Sequence, residues 1–164
     1  MIISGNVLIV DGDQPTRQQL SAMLNDKLPG VRVDRAGHAH DAIIWATAKR
    51  YDLFIIELEL PEIDGLDTAS ALGSIENYGS TPVIFISGPG GKRKLEKRYP
   101  GVEYFQKPIK GRRAYFLSRV ERFLLLMHNL TIVQEAVANV SEAKQQLSKE
   151  LAYANGSGNL SSPV

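Results

Sequence analysis

The sequence predicts an α/β protein with a doubly wound, five-stranded parallel sheet and a long C-terminal α-helix. Two observations indicate the sheet: short apolar runs alternate with helix-like segments through five repeats, and the connections between them are short. A third observation indicates the added helix. Residues 112–153 contain no proline or glycine, and apolar residues recur there at heptad spacing.

The five predicted strands are apolar runs bounded by turn or helix-start residues. They cover residues 6–10, 31–36, 53–56, 82–86 and 102–105. The second run alternates apolar and polar residues, which is typical of a partly exposed strand. The third run is wholly apolar and ends at a turn signal, residues 61–65, so it is predicted to be the buried central strand.

Helices are predicted between these strands, at residues 15–25, 38–50 and 64–77, with at most a short helix at residues 92–98. Asp13 is a plausible N-cap for the first helix, because its side chain can accept a hydrogen bond from the first turn. The Pro29-Gly30 pair breaks the chain before the second strand.

Composition excludes several classes of protein. The formal net charge is +1, so no bulk electrostatic field recruits nucleic acid or a membrane surface. The chain has no cysteine, which excludes disulfides and thiol chemistry. Its start lacks the pattern of a signal peptide, and no apolar run is judged long enough to span a bilayer. We expect a cytoplasmic protein that binds neither nucleic acid nor membranes.

The carboxyl ends of the predicted strands carry chemically active side chains. Asp11 and Asp13 follow the first strand, Glu57 the third, Ser87 the fourth and Lys107 the fifth. Ligands of parallel α/β sheets bind in the crevice at this edge. Carboxylates there favour a hard cation such as Mg²⁺, and hydroxyl and ammonium groups favour phosphoryl oxygens. A carboxylate between them would be a nucleophile for phosphoryl transfer.

Taken together, four motifs in this order resemble those of response-regulator receiver domains, over roughly residues 5–124. The motifs are Val7-Leu-Ile-Val-Asp11, Asp52-Leu53 with Leu60-Pro61 and Asp64-Gly65, Pro82-Val-Ile-Phe-Ile-Ser87, and Tyr104-Phe-Gln-Lys107-Pro108. The resemblance implies a flavodoxin-like sheet of order 2-1-3-4-5 and a role in two-component signal transduction.

The resemblance also assigns roles by position. Ser87 is at the position of the switch hydroxyl, and Tyr104 is at that of the aromatic residue that rotates on activation. Lys107 is at the position of the lysine that pairs with the phosphoryl group, and Asp11 is at that of an acidic pocket residue.

Two positions depart from the family pattern. Glu57 stands where the family has its phosphoacceptor aspartate, and Gly12 stands where it has a second acidic residue that binds Mg²⁺ directly. Asp13 could replace that ligand, but it lies one residue further on and is expected to cap a helix. We therefore predict a pseudo-receiver with no bound metal and no cofactor, unless Mg²⁺-dependent phosphorylation survives.

The departures suggest a hypothesis for the pocket. Glu57 and Lys107 form a standing ion pair, with Ser87 close by, which holds one conformation without phosphate. The alternative is that Glu57 and Lys107 are relics without regulatory meaning, because a buried pair is by itself weak support for function.

The heptad pattern predicts that the last helix continues into a coiled coil. The expected divisions are a receiver-like domain at residues 1–124, a coiled-coil extension at 125–153 and a disordered tail at 154–164. The predicted seam consists of Phe123, Leu126, Leu130, Val133, Val137, Val140, Lys144, Leu147 and Leu151. A parallel homodimer is expected, because the heptads continue without a break. Lys144 at an a position would disfavour higher oligomers and help to set the register. In the alternatives the helix folds back on its own domain or pairs antiparallel.

We expect a non-enzymatic signalling and dimerisation module that acts on other signalling proteins through protein contacts. One alternative is a receiver that is phosphorylated with Mg²⁺, and another is the regulatory fragment of a larger signalling enzyme. No helix-turn-helix candidate follows the receiver-like region, so an output that binds DNA has no support.

Overall fold

The computed structural model describes residues 1–157, in a chain that divides into two units. The first unit is residues 1–127 and the second begins at His128, and each is described by itself. The first contains a parallel sheet of five strands, namely β1 (Ser4–Val10), β2 (Gly30–Ala36), β3 (Leu53–Glu57), β4 (Val83–Ser87) and β5 (Tyr104–Gln106). Its order, β2-β1-β3-β4-β5, confirms the predicted fold class.

The helices alternate with the strands, as expected for a doubly wound sheet. They are α1 (Gln14–Lys27), α2 (Ala39–Ala48), α3 (Gly65–Gly73), α4 (Gly91–Arg98) and α5 (Arg113–Ser157), with a short 3₁₀ helix, Ile109–Arg112, before α5. Helix α3 ends before the predicted residue 77, because turns follow it and Asn77 takes a left-handed φ of 72°.

The hydrophobic core has two layers, one on each face of the sheet, because successive side chains of a strand point to opposite faces. One layer packs α1 and the start of α5 on the sheet through Val7, Ile9, Leu53, Ile55, Ile84, Ile86 and Phe105. The other packs α2, α3 and α4 on the sheet through Leu8, Val10, Phe54, Ile56 and Phe85. Consecutive side chains at the end of a strand therefore face different layers.

Helix α5 buries one stripe of its first part in the core of the first unit. Phe116, Val120 and Leu124 recur at intervals of one helical turn and are fully buried. Phe123, which the heptad pattern places at the start of the coiled-coil seam, packs partly against the same core. The exposed part of the predicted seam therefore begins at Leu126.

The predicted seam is exposed from Leu126 onward, except at half-buried Leu130. Its apolar side chains are between 56% and 69% exposed at Leu126, Val133, Val137, Val140, Leu147 and Leu151, and Lys144 is also exposed. Helix α5 continues to Ser157, so the predicted tail does not begin at residue 154. Ala154 is a strong helix former and no proline intervenes, which allows the extra turn. The remaining predicted tail, residues 158–164, lies outside the described residues.

The expectation that no segment could span a bilayer was too strict. The helical segment Ile109–Gly156 is long enough to cross a membrane and has a mean hydropathy of 1.3 in its most apolar part. By length and composition alone this is weak support for a membrane span. Polar side chains recur along it at His128, Asn129, Gln134 and Glu135, and such residues are costly in hydrocarbon.

The turn after β3 depends on a glycine. The Gly65 N–H donates to the Leu58 carbonyl at 2.8 Å, and a Cβ at Gly65 would lie 2.1 Å from the Glu57 carbonyl oxygen. We predict that Gly65→Ala lowers the free energy of unfolding by about 2–3 kcal/mol, because backbone must move to relieve the clash. Urea denaturation at fixed protein concentration measures this change.

Gly73→Ala in the same helix is the matched control, since no atom lies within 4 Å of a Cβ at Gly73. It should be neutral or stabilise the protein by about 0.5 kcal/mol. Equal destabilisation by the two alanines would contradict the close approach at Gly65.

Candidate functional site

Strand register brings the predicted site residues to one edge of the sheet. Asp11 directly follows β1, Glu57 and Ser87 end β3 and β4, and Lys107 directly follows β5. At this edge the pairs in register are Val10 with Ile56, Glu57 with Ile86, and Ser87 with Gln106. Residues far apart in sequence thus lie on adjacent strand ends, in the crevice where ligands of parallel sheets bind.

The Lys107 ammonium group is shared by two buried carboxylates. Its Nζ contacts Oε2 of Glu57 and lies 2.9 Å from Oδ2 of Asp11. Both carboxylates are almost fully buried, and the Lys107 side chain is 21% exposed. The ion pair expected between Glu57 and Lys107 is therefore present, and Asp11 joins it.

Backbone donors satisfy the other oxygens of these carboxylates. The Glu59 N–H donates to Oε1 of Glu57 at 3.0 Å, and the Asp13 N–H donates to Oδ1 of Asp11 at 2.8 Å. All four oxygens of Glu57 and Asp11 are thus held by protein donors. We call Asp11, Glu57 and Lys107 the carboxylate–lysine cluster.

Burial and neighbouring charges shift the pKa of two members of the cluster, Asp11 and Lys107. Burial raises the pKa of Asp11, and the hydrogen bonds from the Asp13 backbone and Lys107 offset this only in part. Burial alone would lower the pKa of Lys107, but its hydrogen bonds to Glu57 and Asp11 outweigh burial, so its pKa is raised. Lys107 therefore stays charged at neutral pH.

The Asp13 side chain caps helix α1 and makes no described hydrogen bond to the carboxylate–lysine cluster, which Asp13 contacts through its backbone N–H. Its Oδ2 accepts from Thr16 N at 2.9 Å and from Thr16 Oγ1 at 2.6 Å. These hydrogen bonds lower the pKa of the exposed Asp13 carboxyl group. The capping role expected from sequence is therefore present.

Gly12 is exposed, and its backbone does not need a glycine. A Cβ there would meet only Cγ and Cδ of Pro61, both at 3.4 Å, which is close to ordinary van der Waals contact. Position 12 therefore lacks a carboxylate only because its residue is glycine; the backbone there would accept an acidic side chain.

Ser87 and Tyr104 lie on the other side of the sheet edge. Strand alternation places Ser87 with Phe85 in the α4 layer, and its buried Oγ has no hydrogen-bond partner within residues 1–157. The Tyr104 hydroxyl donates to the Gly88 carbonyl at 3.2 Å. The Ser87 carbonyl accepts from the Lys107 N–H at 2.8 Å, whereas the Ser87 hydroxyl makes no described hydrogen bond to the carboxylate–lysine cluster.

Sequence reasoning missed the roles of two residues around this edge. A Cβ at Gly91, the first residue of α4, would lie 2.6 Å from Ser87 Oγ, so the helix packs directly on that serine. The Gly-Pro-Gly-Gly run signalled only a break. Arg17 donates from its guanidinium to the Asp11 carbonyl at 2.6 Å and so holds the loop after β1. Arg17 lies about one helical turn after the N-cap of α1, and this spacing could have indicated its contact with the loop.

We predict that Lys107→Met lowers the free energy of unfolding by about 3 kcal/mol at pH 7, because it leaves two buried carboxylates without a counter-charge. Lys110→Met, at an exposed lysine nearby, should change it by about 0.5 kcal/mol or less. Urea denaturation at fixed protein concentration measures both variants.

The same pair of variants gives a pH test. In Lys107→Met the buried carboxyl groups have no counter-charge, so burial should raise their pKa in the folded state. The loss of stability is then present above the raised pKa and is relieved as the pH falls below it. Stability of Lys107→Met relative to wild type should therefore recover between pH 7 and acid conditions. A constant difference across that range would show that the carboxylates do not depend on Lys107.

Comparison with known proteins agrees with this geometry. Residues 7–114, more than half of the chain, match the family model described as the response regulator receiver domain. The chain is similar to the cyclic di-GMP phosphodiesterase response regulator RpfG of Xanthomonas campestris, with 26% identity over 86% of this chain and 39% of that protein. It is also similar to a response regulatory protein of Yersinia pestis, with 29% identity over 76% of this chain and 51% of that protein. The chain thus spans about half or less of these relatives.

Solved structures show the same fold. The chemotaxis protein CheY4 of Vibrio cholerae is 24% identical, with a TM-score of 0.62 over 73% of this chain and 98% of that one. A receiver domain of an HD domain-containing protein from Pseudomonas fluorescens is 22% identical, with a TM-score of 0.65 over 77% of this chain and 98% of that one. From the family match, together with this fold, the chain belongs to the response-regulator receiver family.

Proposed function

We propose that this receiver domain signals without being phosphorylated and acts through protein contacts as a non-catalytic, cytoplasmic module. The observation that carries the proposal is the saturation of the carboxylate–lysine cluster, in which protein donors hold all four carboxylate oxygens. A phosphoryl group arriving here would have to displace Lys107 from Glu57, since the same ammonium is the one that family members use to pair with it.

The donor set does not fit a bound Mg²⁺ ion. That ion needs near-octahedral coordination by oxygen atoms. Here Asp11 and Glu57 are already engaged, and Gly12 supplies no carboxylate. Within residues 1–157, no group of three or more acidic or histidine side chains is placed to hold a metal. Phosphoryl transfer that depends on Mg²⁺ is thus poorly supported.

The extra methylene of Glu57 explains why the cluster forms without phosphate. A glutamate reaches further from the strand end than an aspartate, so its carboxylate contacts Lys107 directly. We propose that this contact holds Lys107 at the end of β5 and keeps one arrangement of this edge. In this proposal, the stimulus comes from partners instead of from a kinase.

The test is an NMR titration of the ¹⁵N-labelled chain with Mg²⁺, and then with Mg²⁺ and beryllofluoride, a mimic of the phosphoryl group. We expect no saturable shifts at the amides of Glu57, Ser87, Tyr104 and Lys107. The double variant Gly12→Asp/Glu57→Asp should gain saturable shifts, because it restores the missing ligand and frees Lys107.

The single variants Gly12→Asp and Glu57→Asp separate the two causes. If the cluster is the main obstacle, Glu57→Asp alone should recover more binding than Gly12→Asp alone. Saturable shifts of the wild-type amides would overturn the proposal and favour a receiver that is phosphorylated with Mg²⁺.

The proposal includes dimerisation through the part of helix α5 that follows the sheet. Its support is the row of exposed apolar residues at heptad spacing, including Val133, Val137 and Val140. A helix of this composition stays soluble when a second copy covers the row. Lys144, the one polar residue at an a or d position, favours a two-stranded, parallel arrangement at some loss of stability.

We predict that Val137→Asp, at an a position, converts the dimer to a monomer, because a carboxylate would be buried in the seam without a partner. Ala138→Asp adds the same charge at an adjacent outward position and should leave the dimer intact. Sedimentation equilibrium over a range of concentrations measures both. A monomeric wild type, or equal effects of the two aspartates, would contradict the seam.

A second candidate function is the regulatory part of a longer signalling enzyme. The similarity to RpfG covers 86% of the chain, which is more than the first unit alone and so includes part of the long helix. In that case α5 would carry the signal to a following domain, and cyclic di-GMP hydrolysis is the activity to test. Its test is to sequence the reading frame beyond residue 164 and assay the longer protein for that hydrolysis.

A further inference from the structure

We infer that a cavity beside the carboxylate–lysine cluster binds a small amphipathic anion and that its occupancy acts on Lys107. The cavity lies between α1 and the segment from Lys107 to Arg113, within the first unit. Its volume is about 750 Å³, in the range of small-molecule sites. The lining combines apolar Leu20, Met23 and Ile109 with charged residues.

The charges around the cavity favour an anion. Lys110 and Arg113 line it and are exposed, and within the described part of the chain neither has a carboxylate at ion-pair distance. The two acidic residues of the lining are already engaged. Asp13 accepts from Thr16, and Asp26 pairs with Lys27 at 2.8 Å. One anionic group of a ligand can therefore reach two cations, which is a charge-assisted contact.

The apolar part of the lining favours a ligand with a compact hydrocarbon body. Leu20 and Met23 are on the buried face of α1, one helical turn apart, and Ile109 faces them from the 3₁₀ helix. A carboxylate attached to a ring system of this size would satisfy both parts of the site. A free inorganic anion would leave the apolar surface uncovered.

Lys107 links the cavity to the carboxylate–lysine cluster. It lines the cavity, and its Nζ bonds to Glu57 and Asp11. A ligand anion near Lys110 would also attract Lys107 and so compete with Glu57 for the ammonium group. The effect on Lys107 rests on the proposed function, in which the cluster sets the conformation. The binding of an anion in the cavity does not rest on it.

The probe for the test is 1-naphthaleneacetate, with its uncharged amide as the matched ligand, titrated into the full chain without Mg²⁺. We expect saturable NMR shifts at Leu20, Met23 and Lys110 with the acid, and binding at least about tenfold weaker with the amide. Absence of saturable shifts, or equal affinities for acid and amide, would overturn the anion site.

Two variants test the position of the site. Ala22→Phe places a ring in the cavity from an exposed residue of its lining, so it should fold and abolish binding. Lys110→Gln/Arg113→Gln should reduce affinity for the acid at least about tenfold, because it removes both unpaired cations. The control Lys97→Gln/Arg122→Gln removes the same charge from exposed residues outside the lining and should bind normally. If the control variant lost affinity for the acid to the same extent, the acid would be attracted by the net charge of the protein and not by this site.

A separate amide reports on the link to the cluster. The Glu59 N–H donates to Glu57, so its shift should saturate with the cavity amides as Lys107 is drawn away. Shifts in the cavity without a shift at Glu59 would overturn the link and leave the site standing. Neither readout uses beryllofluoride, so failure here and failure of the phosphorylation proposal are distinguishable.

Discussion

The site depends on one ammonium group shared between two buried carboxylates. Removing a carboxylate from water costs several kcal/mol unless a counter-charge and hydrogen bonds replace the lost solvent. At this edge Lys107 supplies the charge for both Asp11 and Glu57, and backbone N–H groups supply the remaining donors. The arrangement exists because parallel register brings the ends of β1, β3 and β5 together. Glycine at position 65 lets the chain turn closely enough for Glu57 to keep its place.

The same cluster is the basis of our proposal that the receiver fold is retained here without phosphoryl transfer. A pocket for phosphoryl transfer needs free carboxylate oxygens for a cation and a lysine that is available to the incoming group. Here each of these groups already has a partner within the protein. In that proposal the edge presents one arrangement to partners or ligands, and two buried core layers lie beneath it.

The family resemblance predicted the sheet order. The sequence itself was sufficient for the meeting of Glu57 with Lys107 and the capping role of Asp13, because these follow from strand ends and local motifs. It was not sufficient for the saturation of the carboxylates, since the N–H directions of Asp13 and Glu59 depend on turn conformation. The cavity beside α1 arises from the packing of segments that are separate in sequence, so no local sequence pattern predicts it. That the Ser87 hydroxyl makes no described hydrogen bond to the cluster could have been predicted, because strand alternation already assigns the Ser87 and Lys107 side chains to opposite faces.

That alternation places two groups of site residues on opposite faces of the sheet. Asp11, Glu57 and Lys107 belong to the side of α1 and α5, whereas Ser87 and Tyr104 belong to the side of α4. The described hydrogen bond that crosses between the two groups runs from the Lys107 N–H to the Ser87 carbonyl at 2.8 Å. A movement of Lys107 therefore has a direct backbone route to Ser87, and charge also acts across this edge, since burial and the charge of Glu57 raise the pKa of Tyr104. The two faces are thus coupled by one backbone hydrogen bond and by the field of a buried carboxylate, so a change at Lys107 would be felt on both.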